Sequence, residues 1–130
     1  MSNQAHEILG LTANPGTALG WHLCVSQGVP VVALKNAAKL LAVTEKTVAE
    51  MVLGAAALPR KGVLGREASD FAYRFAHAWA ALLAKRGMTA QRAAEWLKTP
   101  QPALKNHIPL MLLRTLQGQG YAMTAIERLS

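Results

Sequence analysis

The strongest pattern in the 130-residue chain lies in residues 66–86, REASDFAYRFAHAWAALLAKR. Apolar side chains recur there every three or four residues, which places them along one face of an α-helix. These positions are Phe71, Phe75, Ala78, Trp79, Leu82 and Leu83. Lys85 and Arg86 would lie at the carboxyl end, where the helix dipole favours positive charge, and Gly87 would end the helix. The stretch predicts a long amphipathic helix.

The composition of the whole chain also favours helices. Apolar residues make up 52% of it, and 24 alanines and 19 leucines stand against 7 aromatic residues. We see no alternating strand pattern, so we predict an all-α fold, of a length usual for one domain with or without a small appendage. The single cysteine, Cys24, excludes an internal disulfide.

The chain carries no segment that predicts export or membrane insertion. No apolar run reaches the roughly 18–20 residues that a membrane span needs. The first residues, MSNQAHEILG, lack the basic and apolar pattern of a signal peptide. We therefore expect a cytoplasmic protein with no membrane contact.

The net charge of +7 arises from 14 Lys and Arg against 7 Asp and Glu. Most of the surplus lies in residues 66–130, which hold 9 basic and 4 acidic groups. Such a balance favours an anionic partner, most often nucleic acid. The alternative is that the lysines and arginines only form solvated helix faces.

Breaks in the pattern divide the chain into a weakly ordered N-terminus (1–16), a helical region (17–60) and a second helical region (65–130). The first region predicts three helices, which are Thr17–Gln27, Pro30–Leu41 and Thr44–Leu53. In the first of them we expect Leu19, Trp21 and Leu23 to be partly buried. A glycine-rich loop follows, from Gly54 to Gly65.

The second region continues past the long helix with shorter helices. Thr89 is the expected N-cap of a helix that reaches Leu97, and Pro109 is expected to open another. Gly118 and Gly120 are predicted to break the chain before a last helix.

Residues 34–52 have the pattern of a helix-turn-helix of the phage-repressor kind. Ala38 is small enough for two helices to cross closely, Val43 would fill the turn, and Thr44 would cap the second helix. In such proteins the capped helix enters the major groove of DNA. The residues expected to contact DNA are Lys35, Lys39, Thr44, Glu45, Lys46, Thr47, Arg60 and Lys61. The alternative is a helical hairpin that touches no DNA.

Enzymatic signals are absent from the sequence. The carboxylates mostly neighbour basic residues on predicted helix faces, and the four histidines are scattered. His22 and Cys24 are too few ligands for zinc, and there is no phosphate-binding loop or nucleophile elbow. His77 is predicted to be a surface or capping group. We expect no catalytic residues, no metal and no cofactor.

Residues 93–120, AAEWLKTPQPALKNHIPLMLLRTLQGQG, resemble the C-terminal toxin-binding module of Xre/MbcA/ParS-type antitoxins. The matching positions are Trp96-Leu97, Pro100, Ala103-Leu104, Pro109-Leu110, Leu113-Arg114-Thr115 and Gly118. The resemblance extends over 34–129, because the helix-turn-helix falls at the family's DNA-binding position. Gly65-Arg66 replaces the more usual Ser-Pro start of the long helix.

The resemblance implies an antitoxin of a type II toxin–antitoxin system. Family members pair with a RES-domain toxin that consumes NAD or ADP-ribosylates a target, obstruct its active site, and repress their own operon, usually as dimers. By this resemblance the partners are a RES-type toxin, operator DNA and a second copy of the chain. The expected toxin-facing residues are Arg114, Gln117, Gln119 and Arg128, whereas Trp96, the prolines and the leucines are expected in the core.

Two other functions fit the same residues. The chain is alternatively a stand-alone transcriptional regulator whose C-terminal region serves only dimerisation. In the other case it binds a toxin but has lost DNA binding.

Overall fold

A computed structural model describes residues 4–129 and shows an all-helical chain. The α-helices are α1 (Ala5–Ile8), α2 (Ala18–Gln27), α3 (Val32–Leu41), α4 (Glu45–Val48), α5 (Arg66–Leu83), α6 (Ala90–Lys98), α7 (Pro109–Leu112) and α8 (Leu116–Glu127). Within these residues there is no strand, only the isolated bridges between Pro30 and Val63 and between Gln101 and His107. The predicted fold class is confirmed.

Helix α5 lies at the centre of the packing and contacts α1, α2, α3, α6 and α8. Most of its predicted apolar face is buried, with Trp79 and Leu82 fully inaccessible to solvent, whereas Leu83 is only partly buried. The helix ends at Leu83, before the predicted Lys85-Arg86 end. Lys85 lies beyond it, and its Nζ donates to the carbonyl oxygen of Glu127 at 2.8 Å. This basic residue therefore ties the end of α5 to the end of α8.

The predicted hairpin of α3 and α4 is present. Ala38 and Leu41 of α3 are buried, and Ala42 takes the left-handed conformation that reverses the chain (φ +57°). The amide of Val43 then donates to the Ala38 carbonyl at 3.0 Å. Thr44 caps α4 as predicted, because its hydroxyl accepts from the Thr47 amide at 3.1 Å.

The second helix of the hairpin changes character after one turn. Residues Ala49–Leu53 form a π-helix, with the amides of Gly54 and Ala55 both directed at the Ala49 carbonyl. Gly54 ends it with φ of +63°. The predicted loop follows without helix up to α5, and Leu64 anchors its end by donating to the Val29 carbonyl at 2.7 Å.

The prediction that Gly118 and Gly120 break the chain is wrong, because both lie inside α8. The helix begins at the N-cap Thr115, whose hydroxyl accepts from the Gly118 amide at 2.9 Å. A side chain at Gly118 would collide with the carbonyl oxygen of Leu112. Gly118 therefore permits a close turn between α7 and α8 rather than a break.

The C-terminal core includes the fully buried Leu97, Leu104 and Leu113, as expected. Pro100 and Pro102 are exposed, however, and Trp96 is only partly buried. These prolines end α6 and open the 3₁₀ turn Pro102–Leu104, so their role is in the backbone rather than in the core.

The N-terminal segment is better packed than its weak pattern predicts. Ile8 and Leu9 are buried, and Asn36 donates from Nδ2 to the Ile8 carbonyl at 2.9 Å. Residues 1–3, and Ser130 at the other end of the predicted module, lie outside the described residues. One hydrophobic cluster, running from Ile8 to Ile126, includes residues from both predicted helical regions.

Helix α2 differs from its prediction. None of its residues is buried, and Leu19 and Leu23 are 66% and 49% exposed. The expected partial burial holds for Trp21 and is wrong for both leucines, because only the Trp21 side of the helix faces α5.

Candidate functional site

The corner between α7 and α8 presents polar and apolar side chains together. Arg114 and Gln117 are exposed, and so are the neighbouring Met111 (44%) and Leu116 (67%). The buried Leu113 and the Thr115 cap hold the backbone between them. The corner therefore combines an arginine with apolar surface, which is the composition of many protein–protein contacts.

Arg74 of α5 holds the backbone of this corner in place by hydrogen bonds. One of its terminal guanidinium nitrogens lies 3.4 Å from the Leu113 carbonyl oxygen and 3.3 Å from that of Arg114, and donates to both. These are carbonyls at the end of α7, which otherwise lack helical partners. Arg74 was not among the residues predicted from the sequence, although an arginine in the middle of an apolar helix is a visible signal.

A cleft joins this corner to the hairpin. A cavity of about 480 Å³ lies between Val52, Phe71, Arg74 and Arg114. An adjoining one of about 650 Å³ is lined by both Thr47 and Arg114. Thr47, predicted to contact DNA, and Arg114, predicted to contact the toxin, thus line the same cleft.

Acidic side chains gather along the same cleft. Glu50, Glu67 and Asp70 line it, and Asp70 forms an ion pair with Arg66 at 3.7 Å. The π-helix contributes Glu50 to this wall, so the widened helical turn sets part of the shape of the cleft.

The four predicted toxin-facing residues do not form one cluster. Gln119 is half-buried in α8, whereas Arg128 is exposed just past its other end. Because a helix rises about 1.5 Å per residue, Arg128 lies roughly 18 Å along α8 from Arg114. The structure groups Arg114 with Gln117 and separates Arg128 from both.

The predicted DNA-contacting residues occupy two places. Thr44, Glu45, Lys46 and Thr47 are all exposed at the start of α4, and Lys39 is exposed nearby on α3. The hydroxyls of Thr44 and Thr47 lie 2.9 Å apart and share a hydrogen bond.

The remaining members of this set lie farther away. Lys35 is half-buried on α3, and Arg60 and Lys61 are exposed in the loop. Next to them, the Gly62 carbonyl accepts from the amide of Val31, the N-cap of α3, so this basic pair lies at the opposite end of α3 from α4. The separation is roughly 15 Å, the length of α3.

His77 is neither the surface group nor the cap that the sequence predicted. Its ring lies 4.8 Å from that of Trp21 and 4.3 Å from that of Tyr73. Its Nε2 is buried without a hydrogen-bond partner, and burial lowers the pKa of the imidazole. These contacts attach α2 to α5.

Residues 4–129 contain no group of three or more His, Cys, Asp or Glu side chains placed to hold a metal ion. In the same range no helix is long and apolar enough to cross a membrane.

The described chain is an all-helical protein in which a capped hairpin precedes a compact C-terminal helical module. Residues 87–129 match the family model for the antitoxin Xre/MbcA/ParS C-terminal toxin-binding domain. The chain thus carries this toxin-binding domain, and the resemblance seen in the sequence is confirmed over that segment, which holds α6, α7 and α8. Over 34–86 the resemblance stays a prediction. No curated protein and no solved structure matches the chain.

Proposed function

We propose that this chain is the antitoxin of a type II toxin–antitoxin system and neutralises a RES-domain toxin that consumes NAD or ADP-ribosylates a target. The match of residues 87–129 to a toxin-binding domain carries this proposal. Inhibition is stoichiometric and takes place in the cytoplasm, and the chain itself turns over no substrate.

The α7–α8 corner is the proposed centre of the toxin contact. Arg114 offers a planar set of donors suited to a carboxylate or a phosphate, and Gln117 adds neutral hydrogen-bonding groups. Met111 and Leu116 supply exposed apolar surface on either side. Arginine beside apolar anchors is typical of residues that dominate binding energy. Gln119 and Arg128 would belong to the edge of the contact.

The test is co-expression and co-purification with the toxin encoded beside the gene. We expect wild type to bind the toxin and rescue growth, and Arg114→Glu or Leu116→Glu to weaken binding by at least about tenfold, a loss of about 1.4 kcal/mol. Arg86→Glu is the matched control, because Arg86 is exposed and lies outside the corner. Growth arrest as severe with wild-type antitoxin as with toxin alone would refute the proposal.

We further propose that the hairpin binds operator DNA and represses the operon, with the chain acting as a homodimer. The exposed, capped start of α4 supports this. In helix-turn-helix proteins the first turns of the second helix make the base-edge contacts, and Lys46 and Thr47 would have that role here. The phosphate contacts would come from the four basic residues Lys35, Lys39, Arg60 and Lys61. Glu45 would be limited to base edges, because its carboxylate repels phosphates.

A promoter-binding titration at several salt concentrations tests this second part. Lys39→Glu with Lys46→Glu should abolish salt-sensitive binding, whereas Arg86→Glu with Lys105→Glu makes the same charge change at exposed positions outside the hairpin and should retain sequence-specific binding. Promoter binding that is unchanged by the Lys39→Glu and Lys46→Glu pair would refute the assignment of DNA binding to this surface. Toxin binding without any promoter binding would favour an antitoxin that has lost DNA, and the reverse would favour a stand-alone regulator.

A further inference from the structure

A groove runs along α6 and shares no lining residue with the cleft beside the α7–α8 corner. Its volume is about 570 Å³, comparable to that of pockets that bury a small ligand. Three apolar side chains line it and are only partly buried, namely those of Met88, Trp96 and Leu129. Gln91 and Arg92, which also line it, are exposed. The groove is therefore open to solvent and has apolar surface to offer a partner.

Side-chain hydrogen bonds to the backbone hold both ends of this groove. Gln101 donates from Nε2 to the carbonyl oxygens of Trp96 at 3.0 Å and of Thr99 at 3.1 Å, where the end of α6 leaves carbonyls without helical partners. At the other end, Arg92 donates from Nη1 to the Gly87 carbonyl at 3.0 Å. These bonds position the groove before a partner arrives, which lowers the entropic cost of binding.

The family match identifies the occupant of the groove. Every residue that lines it lies between Met88 and Leu129, inside the segment 87–129 that matches the toxin-binding domain. The cleft beside the α7–α8 corner differs, because the hairpin and α5 supply most of its lining. A groove that the toxin-binding domain builds alone is suited to the partner of that domain, which is the toxin.

The charges in the groove select the chemistry of the toxin segment. Glu95 also lines the groove, but it forms an ion pair with Lys98 at 3.8 Å. Within residues 4–129, Arg92 forms no ion pair and keeps further N–H groups besides the one bonded to Gly87. A guanidinium with free donors binds a carboxylate best. Tryptophan and arginine are also the residues that most often dominate binding between proteins.

We infer that this groove is a second toxin contact, in which an apolar side chain of the toxin packs on Trp96 and a neighbouring carboxylate binds Arg92. The inference rests on the proposed toxin binding and adds a site to it. It also gives a place to Arg128, which precedes Leu129 in the chain and lies roughly 18 Å along α8 from Arg114. Two contacts at this separation fit within one interface of the usual size, about 800 Å² on each partner.

The test is a calorimetric titration of the purified full-length chain with the toxin encoded beside the gene. Arg92→Glu should raise the dissociation constant at least about tenfold, and it suits the first turn of α6, where a glutamate three residues after the Thr89 cap is favoured. Gln91→Trp, which fills the groove from an exposed position and leaves Arg92 in place, should have a similar effect. Lys105→Glu is the matched control, because Lys105 is exposed, lies in the same domain and does not line the groove.

The possible results separate this inference from the proposed function. Toxin binding weakened by both groove variants, with Lys105→Glu like wild type and helical content unchanged in all three, supports the second contact. Toxin binding that Arg114→Glu weakens but neither groove variant does overturns the second contact and leaves the proposed function standing. Equal weakening by Lys105→Glu and Arg92→Glu, with Gln91→Trp like wild type, assigns the effect to overall charge and also overturns it. A wild type that does not bind the toxin refutes both proposals.

Discussion

Ala42 holds a backbone conformation that favours glycine. Its φ is +57°, and the turn of the α3–α4 hairpin depends on it, because Val43 then donates back to Ala38. A non-glycine residue in the left-handed region costs of order 1–2 kcal/mol. Hairpins of this kind often carry glycine at this point, so this chain accepts strain at a structurally central turn.

We therefore expect Ala42→Gly to raise the free energy of unfolding by about 1 kcal/mol, despite the greater flexibility of the unfolded chain. For a chain of this size the corresponding rise in Tm is about 4 °C. Ala81→Gly, in the regular backbone of α5, is the control and should lower stability by about 1 kcal/mol. Thermal unfolding of both variants followed by circular dichroism measures the difference. Loss of stability in both would mean that the Ala42 backbone is not strained.

His77 predicts a pH dependence at the contact of α2 with α5. Burial lowers the pKa of its imidazole below the usual value near 6.5, so the folded chain binds this proton less readily than the unfolded chain. The contribution of neutral His77 is complete above about pH 6.5 and is lost as the pH falls through the lowered folded-state pKa. Tm should therefore fall on acidification within this window.

His77→Phe should flatten this dependence, because it keeps a ring against Trp21 and Tyr73 but cannot be protonated. Exposed His107 offers the control, and His107→Asn should retain the slope of wild type. Measuring Tm of wild type and the two variants across the acidic pH range shows whether His77 causes the pH dependence. Parallel curves for wild type and His77→Phe would assign the acid sensitivity to other groups.

At the scale of elements, helices with a strong hydrophobic period were predictable from the sequence. Local departures from regular α-helix were not. The period of α5 and the threonine N-caps are local signals. The Thr44 and Thr89 caps were predicted correctly, whereas the Thr115 cap was not predicted. The π-helix at Ala49–Leu53 has no sequence period of its own. It shows only in the hydrogen bonds that the three-dimensional packing allows.

The candidate site shows the same division. Arg114 and Gln117 are exposed, as toxin-facing residues would have to be, and polar residues on helices are usually exposed. Their role in toxin binding stays a prediction. Their proximity to Thr47 across the cleft was not predictable, since it requires the hairpin to pack beside the α7–α8 corner. A last helix after Gly120 was predicted, but its start at Leu116 was not, so the sequence did not show that one continuous helix separates Arg114 from Arg128.

Gly118 and Gly120 provide a matched test of how α8 begins. Gly118→Ala should destabilise the chain by about 1–3 kcal/mol, because the new methyl group meets the backbone carbonyl of Leu112, which cannot move aside easily. Gly120→Ala has open space around it and should stabilise α8 by up to about 1 kcal/mol. Denaturant unfolding measures both changes, and toxin affinity should fall only for Gly118→Ala, which distorts the Arg114 corner. Stabilisation by both substitutions would show that α8 does not pack closely on α7.

At the scale of the whole molecule, the two predicted functional regions share their interior. Leu34 and Ala37 of α3 belong to the same buried cluster as Leu97 of α6 and Ile126 of α8, and α3 contacts both α5 and α6. Neither region closes a core without the other. The hairpin and the toxin-binding domain are therefore distinct in proposed role but continuous in packing.

This shared core predicts a single cooperative unfolding transition. Tryptophan fluorescence reports on α2, α5 and α6 through Trp21, Trp79 and Trp96, and it should coincide with the loss of helical circular dichroism in one denaturant titration. Leu34→Ala, a fully buried change in the hairpin, should lower stability by about 2–5 kcal/mol and shift both signals together. Leu116→Ala, at an exposed position, should leave them nearly in place. A hairpin variant that shifted one signal and not the other would show two independent folding units. The cleft between Thr47 and Arg114 would then lie between those units, and toxin binding and DNA binding need not influence each other.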